Sequence, residues 1–276
     1  MVIIKKFFKF IFDVVSSSKK DSIGAYTANA AFFITVSFVP FIMLLISILR
    51  FFPLDEGQMI NQLASIFPAT AKDLASTLVA ESYENGGSAV ISIAAVSTLW
   101  AASMGVHSLA KGIDRVYNAE KAKNIITLRF KSMLYTLAVF AVIIFWLALA
   151  VFGDNITVQV SQKAPWTEGA LRFLGSLHNL WAMIVLCLFF LAMYTVIPSS
   201  KVRFIAQIPG AVIGGVGCLG ISNFFTHYYE DILGFSSVYG GLTIIVFFML
   251  WMYFCIYSLF IGAEVNKYMG SNLDGR

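Results

Sequence analysis

The sequence predicts an all-α, polytopic membrane protein. Its expected architecture is a six-transmembrane-helix bundle, with short amphipathic helices in the outer connections and at the N-terminus. Three observations predict it. Of 276 residues, 59% are hydrophobic and only 12% charged, about half the charged share of a soluble domain. Mean hydropathy is +0.81. Six apolar stretches are each long enough to cross a hydrocarbon layer of about 30 Å, which takes about 20 residues of helix.

The spans fall at about 26–49, 88–110, 132–152, 179–197, 204–226 and 238–263. Backbone polar groups in lipid must be satisfied within the segment, and the alternation of a membrane barrel is absent, so helices are the expectation. Lys and Arg side chains fix the orientation: 15 lie on the side of the two termini and 4 on the other. The basic side faces the cytoplasm. The chain thus reads as one integral membrane domain over 1–276, with cytoplasmic tails at 1–25 and 264–276. The net charge of +4 points to anionic lipid headgroups as partners rather than nucleic acid.

The first segment, MVIIKKFFKFIFDVVSSSKK, has Lys9 and Asp13 breaking its apolar run, so it has no clean signal-peptide core. It reads as an amphipathic helix on the inner leaflet, with a flexible tail as the alternative. The first span contains Pro40, which predicts a kink. The connection after it, residues 51–87, carries Ile60, Leu63 and Phe67, then Leu74 and Leu78, around Pro68. That spacing predicts two short amphipathic helices. The inner connection KGIDRVYNAEKAKNIITLRFK mixes basic and apolar residues and is expected to rest on anionic lipid, with a nucleic-acid site as the sharper alternative.

In the fifth span, PGAVIGGVGCLG contains Gly215, Gly217 and Gly220 at G-x-G-x-x-G spacing. That fingerprint binds a dinucleotide only after a strand, with an acidic residue about 20 residues on. Here it sits mid-span, and the next acid, Glu230, lies at the span's outer end. Read at helical period, Gly210, Gly214 and Gly217 share a face instead. Small residues let helix backbones approach closely in lipid. Plain packing is one reading of that face, and a thin, deformable helix the other.

Catalytic, metal and cofactor constellations are not expected. His107, His178 and His227 lie in separate segments, and Cys187, Cys218 and Cys255 are widely spaced within spans, which forms neither a disulfide framework nor a metal site. Asp114 and Glu120 are the carboxylates of the main inner loop, a thin set for metal-assisted hydrolysis. An enzyme is therefore not the expectation. Polar groups within the spans nominate a seam of Asn29, Pro40, Ser97, Ser103 and Asn223. No Asp, Glu, Lys or Arg lies mid-membrane, which argues against ion coupling. Glu264, at the inner end of the sixth span, is opposed by the helix dipole and needs a cation. Lys111, Arg115 and Arg203 are the candidates, as a structural ion pair or as a gating latch.

Several stretches carry a resemblance. ANAAFFITVSFVP, WAASMGVHSLAKGIDRVYN, KVRF, IAQIPGA, YYEDILGFSSVYGGL, Trp251 and GAEVN resemble, in order, the YihY/BrkB family of bacterial inner-membrane proteins. The matching positions are Ala30, Pro40, Trp100, Gly105, Pro209, Gly210, Tyr239, Gly240, Trp251, Gly262 and Glu264. The family's usual Tyr in the first span is Phe32 or Phe33 here. The resemblance implies six helices with both ends cytoplasmic and the handling of an amphipathic envelope molecule. The family also carries a ribonuclease BN label, for which these residues offer no support. Transport or positioning of a lipid-like molecule is the leading expectation. A non-transporting envelope scaffold is the rival, a membrane-bound ribonuclease the weaker third, and the composition permits a homo-oligomer.

Overall fold

The computed structural model describes residues 2–49, 88–119, 128–142, 178–199, 202–239 and 241–274. Their regular structure is helical: α1 (Val2–Lys20), α2 (Ile23–Leu49), α3 (Ser88–Val116), α4 (residues 128–142), α5 (His178–Val196), α6 (Ile208–Tyr239) and α7 (Gly241–Asp274). A 3₁₀ turn, Phe204–Gln207, leads into α6. Among the described residues, four stretches are long and apolar enough to cross a membrane: Ile23–Leu44, Ser92–Val116, Phe204–Tyr228 and Ile245–Gly270. Met183–Val196 is a shorter apolar helix. The fold is that of an all-helical, multi-pass membrane protein.

The helices outlast the spans that the sequence predicts. α3 continues to Val116 rather than 110, α6 to Tyr239 rather than 226, and α7 to Asp274 rather than 263. None of these extensions contains Pro, the residue that ends helices outright. A 34-residue helix such as α7 is about 51 Å long at 1.5 Å per residue, longer than the hydrocarbon layer. α2 runs through Pro40. The helices expected around Ile60–Leu78 and the second half of the third span lie outside the described residues.

α1 and α2 are joined without a loop. Ser22 takes a left-handed conformation at φ 54°, and its N–H reaches the carbonyl of Lys19 at 3.2 Å. α3 stops in the same way. Asn118, at φ 50°, allows Ala119 N–H to reach the Asp114 carbonyl at 2.8 Å and its own N–H to reach Arg115 at 3.1 Å. That is a Schellman cap with Asn in the left-handed position.

The chain packs as two compact units. One comprises Met1–Thr35, Met104–Ser132 and Ala182–Arg276; the other comprises Val36–Ser103 and Met133–Trp181. In the first, α6 lies along α7, and Tyr194, Phe260, Ile113 and Val116 are fully buried. In the second, Ile42 and Thr98 are buried, and the rings of Phe41 and Phe140 stack at 4.8 Å.

The α6–α7 contact is built on absent side chains. A Cβ on Gly210 would strike the Gly262 carbonyl oxygen, and one on Gly262 would strike both the Gly210 carbonyl oxygen and the Tyr194 hydroxyl. Further along, a Cβ on Gly214 would press on the Phe190 ring and the Ser258 carbonyl, and one on Gly217 on the Ser258 hydroxyl. Ser258 Oγ donates to the Gly214 carbonyl at 2.9 Å. Gly210, Gly214 and Gly217 thus share the α6 face turned to α7, where backbone meets backbone. Gly215 looks instead at Cys187 of α5, and Gly220 at open space.

Candidate functional site

Charged groups converge where α1, α3 and α7 meet. Asp21 closes α1, Arg115 is in the last turn of α3, and Glu264 and Lys267 are one turn apart on α7. Lys267 Nζ sits 2.6 Å from Asp21 Oδ2 and 3.7 Å from Glu264 Oε2. Arg115 Nε lies 3.8 Å from Asp21 Oδ1. Ser17 Oγ donates to Glu264 Oε2 at 2.8 Å and accepts from Lys267 at 3.3 Å. The Glu264 side chain is only 1% exposed. Its Oε1, and the Ser18 hydroxyl nearby in sequence to Ser17, have no hydrogen-bond partner among the described residues.

This corrects the expected cation. Glu264 is answered by Lys267 of its own helix, not by Lys111 or Arg203, and Arg115 enters the cluster through Asp21. The reason is helical period: residues three apart face one another on a helix, so Lys267 reaches Glu264 without any help from topology. Two carboxylates and two cations make the cluster formally neutral. That balance matters, because a buried charge without a partner costs several kcal/mol.

A second, uncharged network adjoins it on α7. Asn266, buried, accepts a hydrogen bond from Gly210 N–H at 2.7 Å and donates to the Gln207 carbonyl at 3.2 Å. Pro209 has no N–H, so Gly210 carries an early unpaired donor of α6. Asn266 supplies the cap from another helix. Tyr117 donates to Gln207 Oε1 at 2.5 Å. Burial pushes the Tyr117 phenol well above its ordinary range, which keeps it a donor. Asp114 holds the chain after α5 with both oxygens: Oδ1 takes Ser199 N–H and Oδ2 its hydroxyl, each at 2.6 Å.

The polar seam residues lie in both units. Pro40, Ser97 and Ser103 belong to one, and Asn29 and Asn223 to the other. Ser97 donates to the Ile93 carbonyl at 2.6 Å and Ser103 to Trp100 at 2.8 Å, so each bonds its own helix. Asn29 and Asn223 are exposed. Beside Asn223 opens a pocket of about 750 Å³ whose described lining is Asn223, Phe224, Thr226, His227 and Tyr228. The rings of Phe224 and Tyr228 lie 4.5 Å apart. Among the described residues, no three His, Cys, Asp or Glu side chains are grouped to hold a metal ion. Cys187, Cys218 and Cys255 are free thiols.

The chain matches, over residues 14–276, the family described as virulence factor BrkB. It belongs to that family. Three relatives illustrate the spread. A ribonuclease-like protein of Bacillus subtilis, YfkH, is 25% identical over 87% of this chain and 87% of its own length. A UPF0761 membrane protein of Alteromonas mediterranea is 23% identical over 95% of this chain and 88% of its own. Another, of Vibrio vulnificus, is 24% identical over 95% and 82%. No solved structure matches the chain. The BrkB resemblance had marked Pro209, Gly210, Gly262 and Glu264, and these form the α6–α7 crossing and the charge cluster. Asn266, Tyr117, Gln207, Asp21 and Ser17 were missed. The signal for Asn266 was available: an amide two residues from Glu264, in GAEVN, needs a partner of its own in an apolar helix.

Proposed function

We propose that this BrkB-family protein moves or positions a lipid-like envelope molecule in the bacterial plasma membrane, with both termini cytoplasmic. The observation that carries the reading is the open pocket of about 750 Å³ at Asn223, a size suited to a small ligand. An amide left unpaired on a lipid-facing helix is costly. Thr226 donates to the Ser222 carbonyl at 2.9 Å. A headgroup would supply hydrogen bonds that Asn223 and His227 lack among the described residues, while Phe224 and Tyr228 offer an aromatic wall to an acyl chain.

Reconstitution tests this. In vesicles carrying a fluorescent phospholipid on both leaflets, an added membrane-impermeant reductant should bleach more than the outer half when the protein is present. Asn223→Leu should slow that bleaching at least several-fold while leaving the protein folded. Bleaching that stops at the outer half with the unmodified protein would sink transport and leave the non-transporting scaffold.

The relative named ribonuclease-like supports a second reading, cleavage of RNA. Asp114 is the carboxylate such a site would draw on, and both its oxygens are engaged by Ser199. Purified protein with magnesium or manganese should leave RNA intact. Cleavage that Asp114→Asn or Glu264→Gln abolishes would establish the enzyme instead.

A further inference from the structure

Helix α1 turns a mixed polar and apolar face to the protein and leaves a second, apolar face exposed. At 3.6 residues per turn, Phe10, Val14, Ser17, Ser18 and Asp21 fall on one side. Val14, Ser18 and Asp21 are buried. Phe10 meets Tyr268 of α7 edge-on at 5.1 Å, and Ser17 and Asp21 enter the charge cluster. These contacts set the helix's rotation about its own axis. The opposite side carries Phe8, Phe12 and Val15, which are 67%, 73% and 43% exposed. Lys9, Ser16 and Lys20, all exposed, occupy the flank between the two sides, and exposed Lys19 ends the apolar stripe.

We infer that the Phe8–Phe12–Val15 face of α1 is a docking surface for an anionic lipid leaflet, with Lys9, Lys19 and Lys20 seated among its headgroups. The helix cannot roll to bury its rings on the protein without breaking the Ser17 and Asp21 contacts. The occupant must therefore accept phenyl rings and lysine ammonium groups side by side. A membrane surface of anionic lipid does so: rings enter at the acyl boundary and lysines extend to the phosphates. The place fits as well. α1 is fastened to the last turns of α7, beyond most of its apolar span Ile245–Gly270, where a crossing helix leaves the hydrocarbon. Exposed Lys111, Arg129 and Lys131 add basic charge in the same unit. The inference is independent of the pocket at Asn223.

The test uses the full chain in vesicles of phosphatidylglycerol and phosphatidylcholine whose acyl chains carry bromine, a contact quencher of indole. In Phe12→Trp, the emission added over the parent protein should fall by half or more with bromine near the headgroup end, and less with bromine near the chain end. In phosphatidylcholine alone the quenching should weaken about twofold, and Lys9→Gln with Lys20→Gln should have the same effect in the mixed vesicles. Phe8→Trp gives an independent reading should Phe12→Trp fail to fold. An indole unquenched by either bromine position but open to iodide would overturn the proposal. So would shielding that grows with the protein-to-lipid ratio, since it assigns the face to a second copy.

Discussion

The two ends of the α6–α7 pair solve opposite problems. At Gly210 and Gly262 the helices touch backbone to backbone, and the buried side chains against them, Asn266 and Tyr194, are hydrogen-bonded. The charge cluster on the same helix is paired save for one Glu264 oxygen. At Asn223 the polar groups are exposed and uncharged, beside an open pocket. Close approach leaves no space for a ligand and makes every atom matter for stability. The open end contributes little to holding the helices and leaves its hydrogen bonds to be made by something else. The difference teaches where substitution should unfold the protein and where it should only silence it.

The largest effect belongs to the crossing. Gly262→Leu would place its side chain against the Gly210 carbonyl and the Tyr194 hydroxyl, both held by other bonds. Neither neighbour is the free end of a flexible chain, so the helices must separate. The expected loss is more than about 3 kcal/mol, the upper end for an overpacked site, read as loss of a folded, monodisperse species in detergent. A variant that melts like the parent would show that the crossing is not what joins α6 to α7.

Next comes the charge cluster. Lys267→Met removes the cation shared by two buried carboxylates and should cost about 3 kcal/mol, the cost of stranding a buried charge. Adding Glu264→Gln removes one of those carboxylates, so the double variant should recover part of the loss. A thermal denaturation cycle measures that coupling. Strict additivity would mean that Lys267 and Glu264 do not feel each other, and the ion pair would then be incidental.

The sequence made some of this visible and not the rest, for physical reasons. The glycine face was legible because a helix repeats every 3.6 residues wherever it packs, so Gly210, Gly214 and Gly217 align without knowledge of the partner. The need of Glu264 for a cation was legible too, from its place near a helix C-terminus. Its partner was sought across the membrane side, among Lys111, Arg115 and Arg203, when the same period that aligned the glycines would have given Lys267. Asp21 was passed over as part of a tail: its partner is 246 residues away, a pairing no local pattern carries. The span predicted to end near 226 continues as helix to Tyr239, because without Pro nothing in 227–239 stops a helix. Asn223 was marked as a polar seam position, but the volume of the pocket beside it was illegible, since room is a property of packing rather than of any one residue.

The smallest effect sharpens the contrast between close-packed and open glycines. Gly220 continues the line of Gly210, Gly214 and Gly217 at nearly the same helical angle, but a Cβ there meets nothing within 4 Å. Substituting Gly220→Ala should therefore cost no packing. It should gain about 0.5 kcal/mol from the backbone freedom that glycine loses on folding, seen as a slightly raised melting temperature. Gly217→Ala, one turn earlier, drives a methyl into the Ser258 hydroxyl that bonds the Gly214 carbonyl and should lower it. Two identical chemical changes three residues apart would then carry opposite signs, with contact against α7 as their one difference. If both variants shift the melting temperature in the same direction, helix propensity rather than close approach governs this face, and the distinction between the two ends of the pair is lost.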